Sequence, residues 1–303
     1  MGASSSQHVM DLEPFPDDVL LVILSFVPSR DLLKSCRLVS KRWKQLVDSP
    51  TLWKIKCQQE WRKEVFNSAL SIPNMNWQRL YLKKPFLRNL IRNPCGTEGL
   101  QHWESTDGGD GWKVEDNHFP LEVADSQTSF VTSFRWCKKT QDVDLLKEGL
   151  WEDLLDNQQP PICISDWYAG RCDCGCVYEI KVQLLSKDRK HCIDEFTASP
   201  DPIPQWNNGI YHQVSHVFHG YGPGVRFVRF FHMGKDTQFW KGWYGSRITN
   251  SSVIVRIKKY EEVCGSTAGL NKSVKSHLTR AVESVDKFSD SDSSVSDTSD
   301  SDS

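Results

Sequence analysis

The densest group of reactive side chains in this sequence is a run of three cysteines, Cys172-Asp-Cys-Gly-Cys176. Thiolates at this spacing can bind zinc, but a structural zinc site usually adds a second, distant pair of ligands, which the sequence does not supply. If the run forms a strand, alternate side chains share a face, so all three thiols would pack together as small hydrophobic groups. We therefore favour a packing role over metal or redox chemistry.

Three histidines, His212, His216 and His219, form the other group with metal-binding chemistry. They fall in a segment with strand-like alternation, where a spacing of four residues keeps two rings apart along the strand. The segment also lacks a His-Glu-x-x-His motif, which on a helix would supply two zinc ligands and a general base. The sequence accordingly predicts no metal site, no cofactor and no catalytic residue.

Composition excludes further classes of function. The chain has 303 residues, 38% of them hydrophobic, with 12 Trp and 14 Phe, which is enough for about two domains. The net charge is −2, but residues 289–303 contain five Asp and no Lys or Arg, so the preceding part carries +3. A body this weakly basic lacks the electrostatic surface of a dedicated nucleic-acid binder, so we expect no DNA or RNA partner.

Targeting signals are weak. No stretch approaches the ~20 apolar residues that span a bilayer, and the N-terminus lacks the basic and apolar regions of a secretory signal. With ten Cys, we expect free thiols in a cytoplasmic protein and no stable membrane insertion. The chain opens with the myristoylation pattern at Gly2 and Ser6, but a single acyl chain anchors a protein only marginally.

Short helices are predicted for residues 11–57. Leu20 and Leu24 begin an apolar repeat at helical spacing. Pro28 separates the first helix from the next, and Pro50 marks the end of the third. Three helices of this length do not build an adequate core unaided, so we expect them to need a partner surface.

The rest of the chain divides into a linker, a β-domain and a tail. Residues 58–84 predict a helical linker. Alternating apolar and polar residues, separated by Gly- and Asn-containing turns, then predict strands at 129–136, 177–184, 213–218, 225–231 and 253–257. This pattern is typical of an antiparallel β-sandwich of the jelly-roll kind over residues 85–260. The fold class is therefore α+β.

Both ends of the chain are predicted to be disordered, over residues 1–10 and 261–303, because they cannot bury enough apolar surface to fold. The C-terminal segment is rich in Ser and Asp. Ser followed closely by Asp is the pattern that an acidophilic kinase prefers, so the tail is a candidate for phosphorylation. A solubilising extension is the interpretation that we favour.

The N-terminal helices resemble an F-box. The matching residues run from Phe15-Pro-Asp-Asp through Asp31-Leu-Leu to Val39-Ser-Lys-Arg-Trp43 and Leu52-Trp53, with Phe15 where the family usually has Leu. The resemblance implies docking on the Skp-type adaptor, and through it on the cullin scaffold, of a ubiquitin ligase. Apolar residues on these helices suit a helix-in-groove interface. The adaptor-binding residues that we predict are Pro16, Leu20, Ile23, Leu24, Leu32 and Leu33.

The second half resembles the F-box-associated domain of the sugar-recognising F-box proteins, a β-sandwich that binds high-mannose N-glycans. The resemblance is carried by stretches such as Arg88-Asn-Leu-Ile-Arg-Asn-Pro94, Ser165-Asp-Trp-Tyr168, Gly222-Pro-Gly-Val-Arg-Phe-Val-Arg-Phe230 and Phe239-Trp-Lys-Gly-Trp-Tyr-Gly245. Together with the F-box it covers nearly all of residues 11–258.

The resemblance also implies a glycan pocket in loops at one end of the sandwich. Its hallmark is an aromatic-Trp-Lys run, here Phe239-Trp240-Lys241, joined by an earlier aromatic for which Phe134 is the first choice and Trp136 the second. The inner two N-acetylglucosamines offer flat C–H faces that can stack on an indole, and an ammonium can donate to their oxygens. The strongest sugar binders of the family have Tyr where this chain has Phe239, which removes a hydrogen bond of about 0.5–1.5 kcal/mol.

The resemblance implies a non-catalytic receptor that brings misfolded glycoproteins to a Skp–cullin–F-box ligase by their chitobiose core, for ubiquitination and ER-associated degradation. We expect it in the cytoplasm, with the cytosolic face of the ER as one setting. A receptor for non-glycosylated protein surfaces through the same sandwich is the alternative. A glycoside hydrolase would need two carboxylates about 5–9.5 Å apart. Asp236 and Glu152 or Asp153 are available, but nothing in the sequence pairs them.

Overall fold

The computed structural model describes residues 15–257 of the chain. It contains helices followed by two antiparallel sheets, which confirms the predicted α+β fold with its N-terminal helices, helical linker and β-sandwich. The predictions of disorder for residues 1–10 and 261–303, and of myristoylation at Gly2, lie outside the described residues.

Six α-helices lie at the start of the described region. They are α1 (Asp17–Ser25), α2 (Ser29–Lys34), α3 (Lys41–Asp48), α4 (Pro50–Glu60), α5 (Lys63–Leu70) and α6 (Trp77–Lys83), with a 3₁₀ turn at Cys36–Leu38. The three helices that the sequence predicts are α1 to α3, and a further helix, α4, begins at Pro50. Proline fits there because the first helical turn leaves its N–H groups unpaired in any case. Ser49 Oγ accepts a hydrogen bond from Thr51 N (3.2 Å) and caps the same end.

The helices α1 to α4 share an apolar core. Leu24 and Leu32 are at most 1% exposed, and Trp53 of α4 is fully buried. The Trp53 indole N–H donates to Val47 O at 2.7 Å, so its one polar atom is satisfied inside the core. Lys56 Nζ donates to Ser25 O (2.8 Å) and Val27 O (3.0 Å), which pairs carbonyl groups that the C-terminus of α1 would otherwise leave open. The core and these polar contacts hold α1 against α4.

Ten strands form the sandwich in the described region. They are β1 (Glu104–Thr106), β2 (Lys113–Asp116), β3 (Thr128–Val131), β4 (Cys137–Asp144), β5 (Ile162–Ala169), β6 (Cys176–Leu185), β7 (Cys192–Ala198), β8 (His212–Phe218), β9 (Phe227–Asp236) and β10 (Arg247–Val255). One sheet has the order β1-β4-β9-β6-β7 and the other β2-β3-β10-β5-β8. All the pairings within them are antiparallel.

The five predicted alternating runs correspond to β3, β6, β8, β9 and β10. The sequence pattern missed β1, β2, β4, β5 and β7. The two longest of these, β4 and β5, were missed for physical reasons. In β5 nearly every residue is buried, so the alternation disappears. In β4 the polar residues Lys139 and Gln141 face the core while the outward positions are polar as well, so the alternation of apolar and polar residues is lost.

Polar groups join the two sheets across the core. The Asp166 carboxylate of β5 accepts hydrogen bonds from Tyr178 Oη (2.6 Å) and Ser251 Oγ (2.7 Å), and its Oδ2 lies 2.5 Å from His232 Nδ1. Burial lowers the pKa of His232 to about 4, because the low-dielectric interior disfavours the charged ring. Close by, the buried Lys139 Nζ lies 3.4 Å from the ring centroid of Trp103. The centre of the sandwich is therefore polar as well as aromatic.

The three clustered cysteines do not form one strand, which corrects the prediction that they share a face. Cys172 is exposed in a turn that is closed by the bridge between Arg171 and Cys174. Cys174 and Cys176 are buried, and Cys176 begins β6. Burial raises the pKa of the Cys176 thiol to about 11, so this thiol stays protonated at neutral pH.

The register brings five loops to one end of the sandwich, because Cys176 pairs with Asp236 and Arg247 with both Val131 and Ala169. We call this the loop end; its loops are residues 106–112, 131–137, 169–176, 198–211 and 236–247. The linker meets the opposite end, where Leu87 N donates to Val255 O at 3.0 Å. A strand of β9's length rises about 30 Å, so the two ends are far apart.

Candidate functional site

The Phe239-Trp240-Lys241 run forms a turn directly after β9, at the loop end. Asp236, the last residue of β9, accepts hydrogen bonds from Phe239 N (2.6 Å) and Trp240 N (3.1 Å). A short carboxylate that binds backbone N–H groups a few residues further on stabilises such turns. Phe239 has a φ of +59°, in the left-handed region. The turn leaves Phe239 63% exposed and Trp240 39% exposed.

A second set of hydrogen bonds joins this turn to two other loops. Gly242 N donates to Asp110 Oδ2 (2.8 Å), and Ser133 Oγ donates to Gly242 O (2.6 Å). Ser133 Oγ also accepts from Asp110 N at 3.0 Å, so the three residues are mutually bonded. Gly242 has a φ of +118°, and a β-carbon there would lie 2.8 Å from the Tyr244 ring. Glycine is therefore required at position 242, where the turn meets the two other loops.

Aromatic rings cluster around the turn. The rings of Phe134 and Phe239 meet edge to face with centroids 5.0 Å apart, and Trp240 meets Tyr244 in the same way at 5.5 Å. The structure thus brings the first-choice aromatic, Phe134, into contact with the predicted run. We call Phe134, Phe239, Trp240 and Lys241 the aromatic rim. Lys241 is exposed.

Trp136, the second-choice aromatic, lies beside the rim. It is partly exposed, and Lys235 Nζ lies 4.9 Å from its ring centroid. Trp136, Phe134 and Phe239 line a common hollow of about 670 Å³, a volume in the range of ligand sites. The structure therefore brings three of the five residues predicted for glycan binding to one hollow, while Trp240 and Lys241 follow Phe239 in the turn without lining the hollow. The role of all five remains a prediction.

The rim has the groups for binding rather than for bond cleavage. Its exposed rings offer flat apolar surface, and its ammonium donates hydrogen bonds. The carboxylate next to it, Asp236, is 3% exposed and occupied by the backbone of the turn. Glu152 lies at the other end of β9, with Oε1 3.6 Å from Arg226 Nε, so it and its neighbour Asp153 are separated from Asp236 by about 30 Å. That distance excludes this pairing for a glycosidase, which needs about 5–9.5 Å.

The histidine segment is part of β8. The His216 ring stacks on Phe196 with centroids 4.5 Å apart and planes 8° apart. Burial lowers the pKa of His216, which favours the neutral ring in this contact. Within residues 15–257, no three His, Cys, Asp or Glu side chains are grouped to hold a metal ion.

Half of the predicted adaptor-binding residues are not on the surface. Leu20, Leu24 and Leu32 are at most 1% exposed, so the assignment of these three to a docking surface is corrected. Their helical repeat marks the face that packs into the core, a distinction that spacing alone does not make. Pro16 and Ile23 are exposed and Leu33 is partly buried.

A different apolar repeat, on α1 and its C-cap residue Phe26, is exposed. Its members follow the spacing i, i+3, i+4, i+7 on the side away from the core, and we call them the helical apolar face: Val19, Val22, Ile23 and Phe26. Phe26 is 74% exposed. Leu38 and Val39, which close the 3₁₀ turn, are exposed as well. Within residues 15–257, no helix is both long enough and apolar enough to cross a bilayer.

Comparison with known proteins gives two family matches. Residues 15–59 match the F-box-like family and residues 81–255 match the F-box associated region. Mouse F-box only protein 27 is 47% identical over 267 residues, which cover 83% of this chain and 93% of that protein. Human F-box only protein 17 is 42% identical over 277 residues, 85% and 99% of the two chains. Bovine F-box only protein 2 is 44% identical over 251 residues, 80% and 84%.

Proposed function

The chain belongs to the F-box proteins that carry an F-box-associated region, and we propose that it is a substrate receptor of a Skp–cullin–F-box ubiquitin ligase. The N-terminal helices bind the adaptor, and the aromatic rim binds the chitobiose core of high-mannose N-glycans. Such a receptor performs no chemistry itself. It raises the effective concentration of its client near the ligase.

The observation that carries the glycan half of this proposal is an exposed indole on a fixed turn. Trp240 is 39% exposed although its backbone N–H and that of Phe239 are both bound by Asp236. A ring held in position before the ligand arrives loses little conformational entropy on binding. The same turn presents Lys241 to solvent.

The chemistry of chitobiose fits these groups. Its two N-acetylglucosamines carry flat C–H faces and acetamide methyl groups, which pack on an indole or phenyl face. The ammonium of Lys241 donates hydrogen bonds to a hydroxyl or an acetamide carbonyl. Phe134, in edge contact with Phe239 at 5.0 Å, extends the apolar surface for the second sugar.

Recognition of this inner disaccharide would report misfolding of the client. Chitobiose lies next to the polypeptide, where a folded protein crowds it, and it becomes accessible when the protein unfolds. N-glycosylated proteins in the cytoplasm are mainly misfolded clients expelled from the secretory pathway. The receptor therefore acts in the cytoplasm, including the cytosolic face of the ER, and directs such clients to ubiquitination and ER-associated degradation.

The arrangement of the chain supports both contacts at once. The linker meets the sandwich at the end opposite the loop end, as in the hydrogen bond from Leu87 N to Val255 O (3.0 Å). The rim is about 30 Å from that junction. The helical apolar face of α1, together with Pro16 and Leu33, then serves the adaptor while the loop end faces the client.

A pull-down with three forms of one high-mannose glycoprotein tests the proposal: native, denatured, and denatured with its N-glycans enzymatically removed. We expect the full chain to bind the denatured glycosylated form best and to lose it on deglycosylation. Binding that survives deglycosylation would instead favour a receptor for protein surfaces. Release of free sugar from a chitobiose-bearing glycan would overturn the non-catalytic assignment.

A further inference from the structure

The hollow beside the aromatic rim is basic. Among the residues that line it, Arg135, Lys138 and Lys235 are cations and Asp236 is the one carboxylate. Asp236 is 3% exposed and already accepts hydrogen bonds from the backbone of the turn. The lining of the hollow therefore carries a net positive charge, which neutral sugars do not use.

The three cations lie beside aromatic rings. The two lysines belong to β4 and β9, which pair directly. Lys138 is exposed, and Lys235 Nζ lies 4.9 Å from the Trp136 ring centroid. The Arg135 guanidinium carbon is 5.8 Å from the Phe239 centroid. A ring attracts a cation but does not neutralise its charge, so these cations remain available to an anion.

None of the three cations has an ion pair within 4.0 Å among residues 15–257. Other cations of the sandwich are paired. At the loop end Arg171 Nε lies 2.7 Å from Asp173 Oδ1, and at the opposite end Arg226 Nη1 lies 2.8 Å from Asp156 Oδ1. Three adjacent cations without carboxylate partners raise the local positive potential, which attracts an anionic ligand.

A high-mannose glycoprotein carries negative charge on one side of its chitobiose only. The chitobiose joins the mannose branches to the polypeptide, and neither mannose nor N-acetylglucosamine has an ionised group at neutral pH. The polypeptide has ionised Asp and Glu side chains. Phe134 and Phe239 belong to the rim and also line the hollow, so a chitobiose on the rim has the hollow beside it. The charge of the hollow then matches the polypeptide rather than the mannose branches.

We propose that the basic hollow binds acidic residues of the client polypeptide that flank the glycosylated asparagine. This inference rests on the proposed function, because the rim must hold the chitobiose to bring the flanking residues to the hollow. The hollow measures about 670 Å³, which is in the range of ligand sites. An unfolded client can extend its chain into it, and the glycan tethers that chain, so a weak ionic contact adds to the affinity.

Calorimetric titration of the full chain with two synthetic glycopeptides tests the proposal. Both carry the same high-mannose glycan, and the residues on either side of the glycosylated asparagine are Glu in one and Gln in the other. At low salt the Glu glycopeptide should bind roughly 5–10-fold more tightly. The difference should vanish in about 0.5 M salt, where exposed charges are screened. Equal affinities at low salt would overturn the proposal.

Two double variants assign the preference to the hollow. Lys138→Gln combined with Lys235→Gln should reduce the preference for the Glu glycopeptide to within about 2-fold, because one cation remains. Lys147→Gln combined with Lys187→Gln is the matched control. These two lysines are exposed at the opposite end of the sandwich, and the exchange removes the same charge. The control should keep the full preference. Equal preferences in the two double variants would overturn the proposal.

The same Glu and Gln peptides without a glycan separate this inference from the proposed function. At millimolar concentration and low salt, the Glu peptide should shift the NMR signal of the Trp136 indole N–H, which Trp136→Phe identifies, and the Gln peptide should not. If this shift appears although the glycan adds no affinity to either peptide, the proposed function fails and the acidic-peptide site stands. If the glycan adds affinity but Glu and Gln glycopeptides bind equally, the proposed function stands and the acidic-peptide site fails.

A phosphate on an outer mannose of the Gln glycopeptide tests the remaining occupant, an anionic glycan. We expect that phosphate to change the affinity by less than about 2-fold, because the mannose branches lie away from the hollow. A gain larger than the gain from the Glu residues would assign the hollow to the glycan and overturn the proposal.

Discussion

The aromatic rim and the helical apolar face both expose apolar side chains, but the protein holds them in different ways. On α1, Val22 and Ile23 stand opposite Leu20 and Leu24, which are buried in the helical core. The rim is not one side of a helix with an apolar core on the other side. The backbone of its turn is held by hydrogen bonds to the Asp236 carboxylate and the Ser133 hydroxyl.

This difference predicts how each surface responds to mutation. A docking face on a helix is only as stable as the core on the other side, so binding and folding are coupled there. A rim on a turn depends on a few hydrogen bonds at the edge of a large sandwich. Binding can therefore change at the rim while the fold remains intact.

The largest effect should come from the buried side of α1. Leu24→Ala removes a side chain that is 1% exposed and should lower the free energy of unfolding of the helical region by about 2–5 kcal/mol, because it leaves a cavity. Ile23→Ala, on the exposed side of the same helix, is the matched control and should cost under about 1 kcal/mol. Denaturant unfolding followed by circular dichroism measures both, and equal losses would contradict the two-sided description of α1.

Acid should act on the sandwich through His232. Its pKa in the folded chain is about 4, below that of the exposed ring in the unfolded chain. Unfolding therefore takes up a proton between these two values, and stability should fall as the pH drops from about 6.5 to 4, by up to about 3 kcal/mol. Above pH 6.5 this contribution should be constant. Hydrogen exchange of the strand amides against pH measures it.

His232→Gln should flatten that pH dependence, whereas the exposed His212→Gln should leave it unchanged. A pH dependence that persists in full after His232→Gln would assign the acid sensitivity to another group.

The exposed side of α1 should control adaptor binding. Ile23→Asp places a charge in the helical apolar face and should weaken binding to the Skp-type adaptor at least about 10-fold, because the charge would be desolvated in an apolar groove. Leu70→Asp is the matched control, since Leu70 is 45% exposed on α5. Calorimetric titration with the adaptor measures both, and tight binding by the Ile23 variant would move the docking surface elsewhere.

The smallest effect should be a gain at the rim. Phe239→Tyr adds a hydroxyl to a ring that is already 63% exposed, so it creates no buried unpaired group. One added hydrogen bond to the glycan is worth about 0.5–1.5 kcal/mol, which should tighten binding roughly 2–10-fold. Phe119→Tyr, on a ring that is 45% exposed, is the control. An unchanged affinity for Phe239→Tyr would place the glycan away from this ring.

Much of the fold could be predicted because its signals are local. Helical repeats, alternation and turn residues each act over a few positions, and they predicted the helices α1 to α3 and five of the ten strands in the described region. The features that they could not predict depend on contacts between residues that are far apart in the sequence. The inward-facing Lys139 of β4 is explained by aromatic rings such as that of Trp103. The Trp103 ring centroid lies 3.4 Å from Lys139 Nζ, although the two residues are far apart in the sequence.

The candidate site also has a part that could be predicted from the sequence and a part that could not. The resemblance predicted Phe239 to Lys241, and Asp236 three residues earlier is a local turn signal that could have been recognised. The contacts from Asp110 and Ser133 to Gly242 join positions more than a hundred residues apart, so no local pattern could reveal them. Helical spacing predicted an apolar face on α1. However, α1 has two apolar faces, and spacing could not tell which of them is buried.

The most direct test of the central claim is the affinity of the full chain for a chitobiose-bearing high-mannose glycan with and without the Trp240 indole. Trp240→Ala should weaken binding at least about 10-fold, because the stacking surface is lost. Trp206→Ala, which removes an indole that is 76% exposed in another loop, should leave the affinity unchanged. Equal affinity of the Trp240 variant and the unaltered chain would contradict the account.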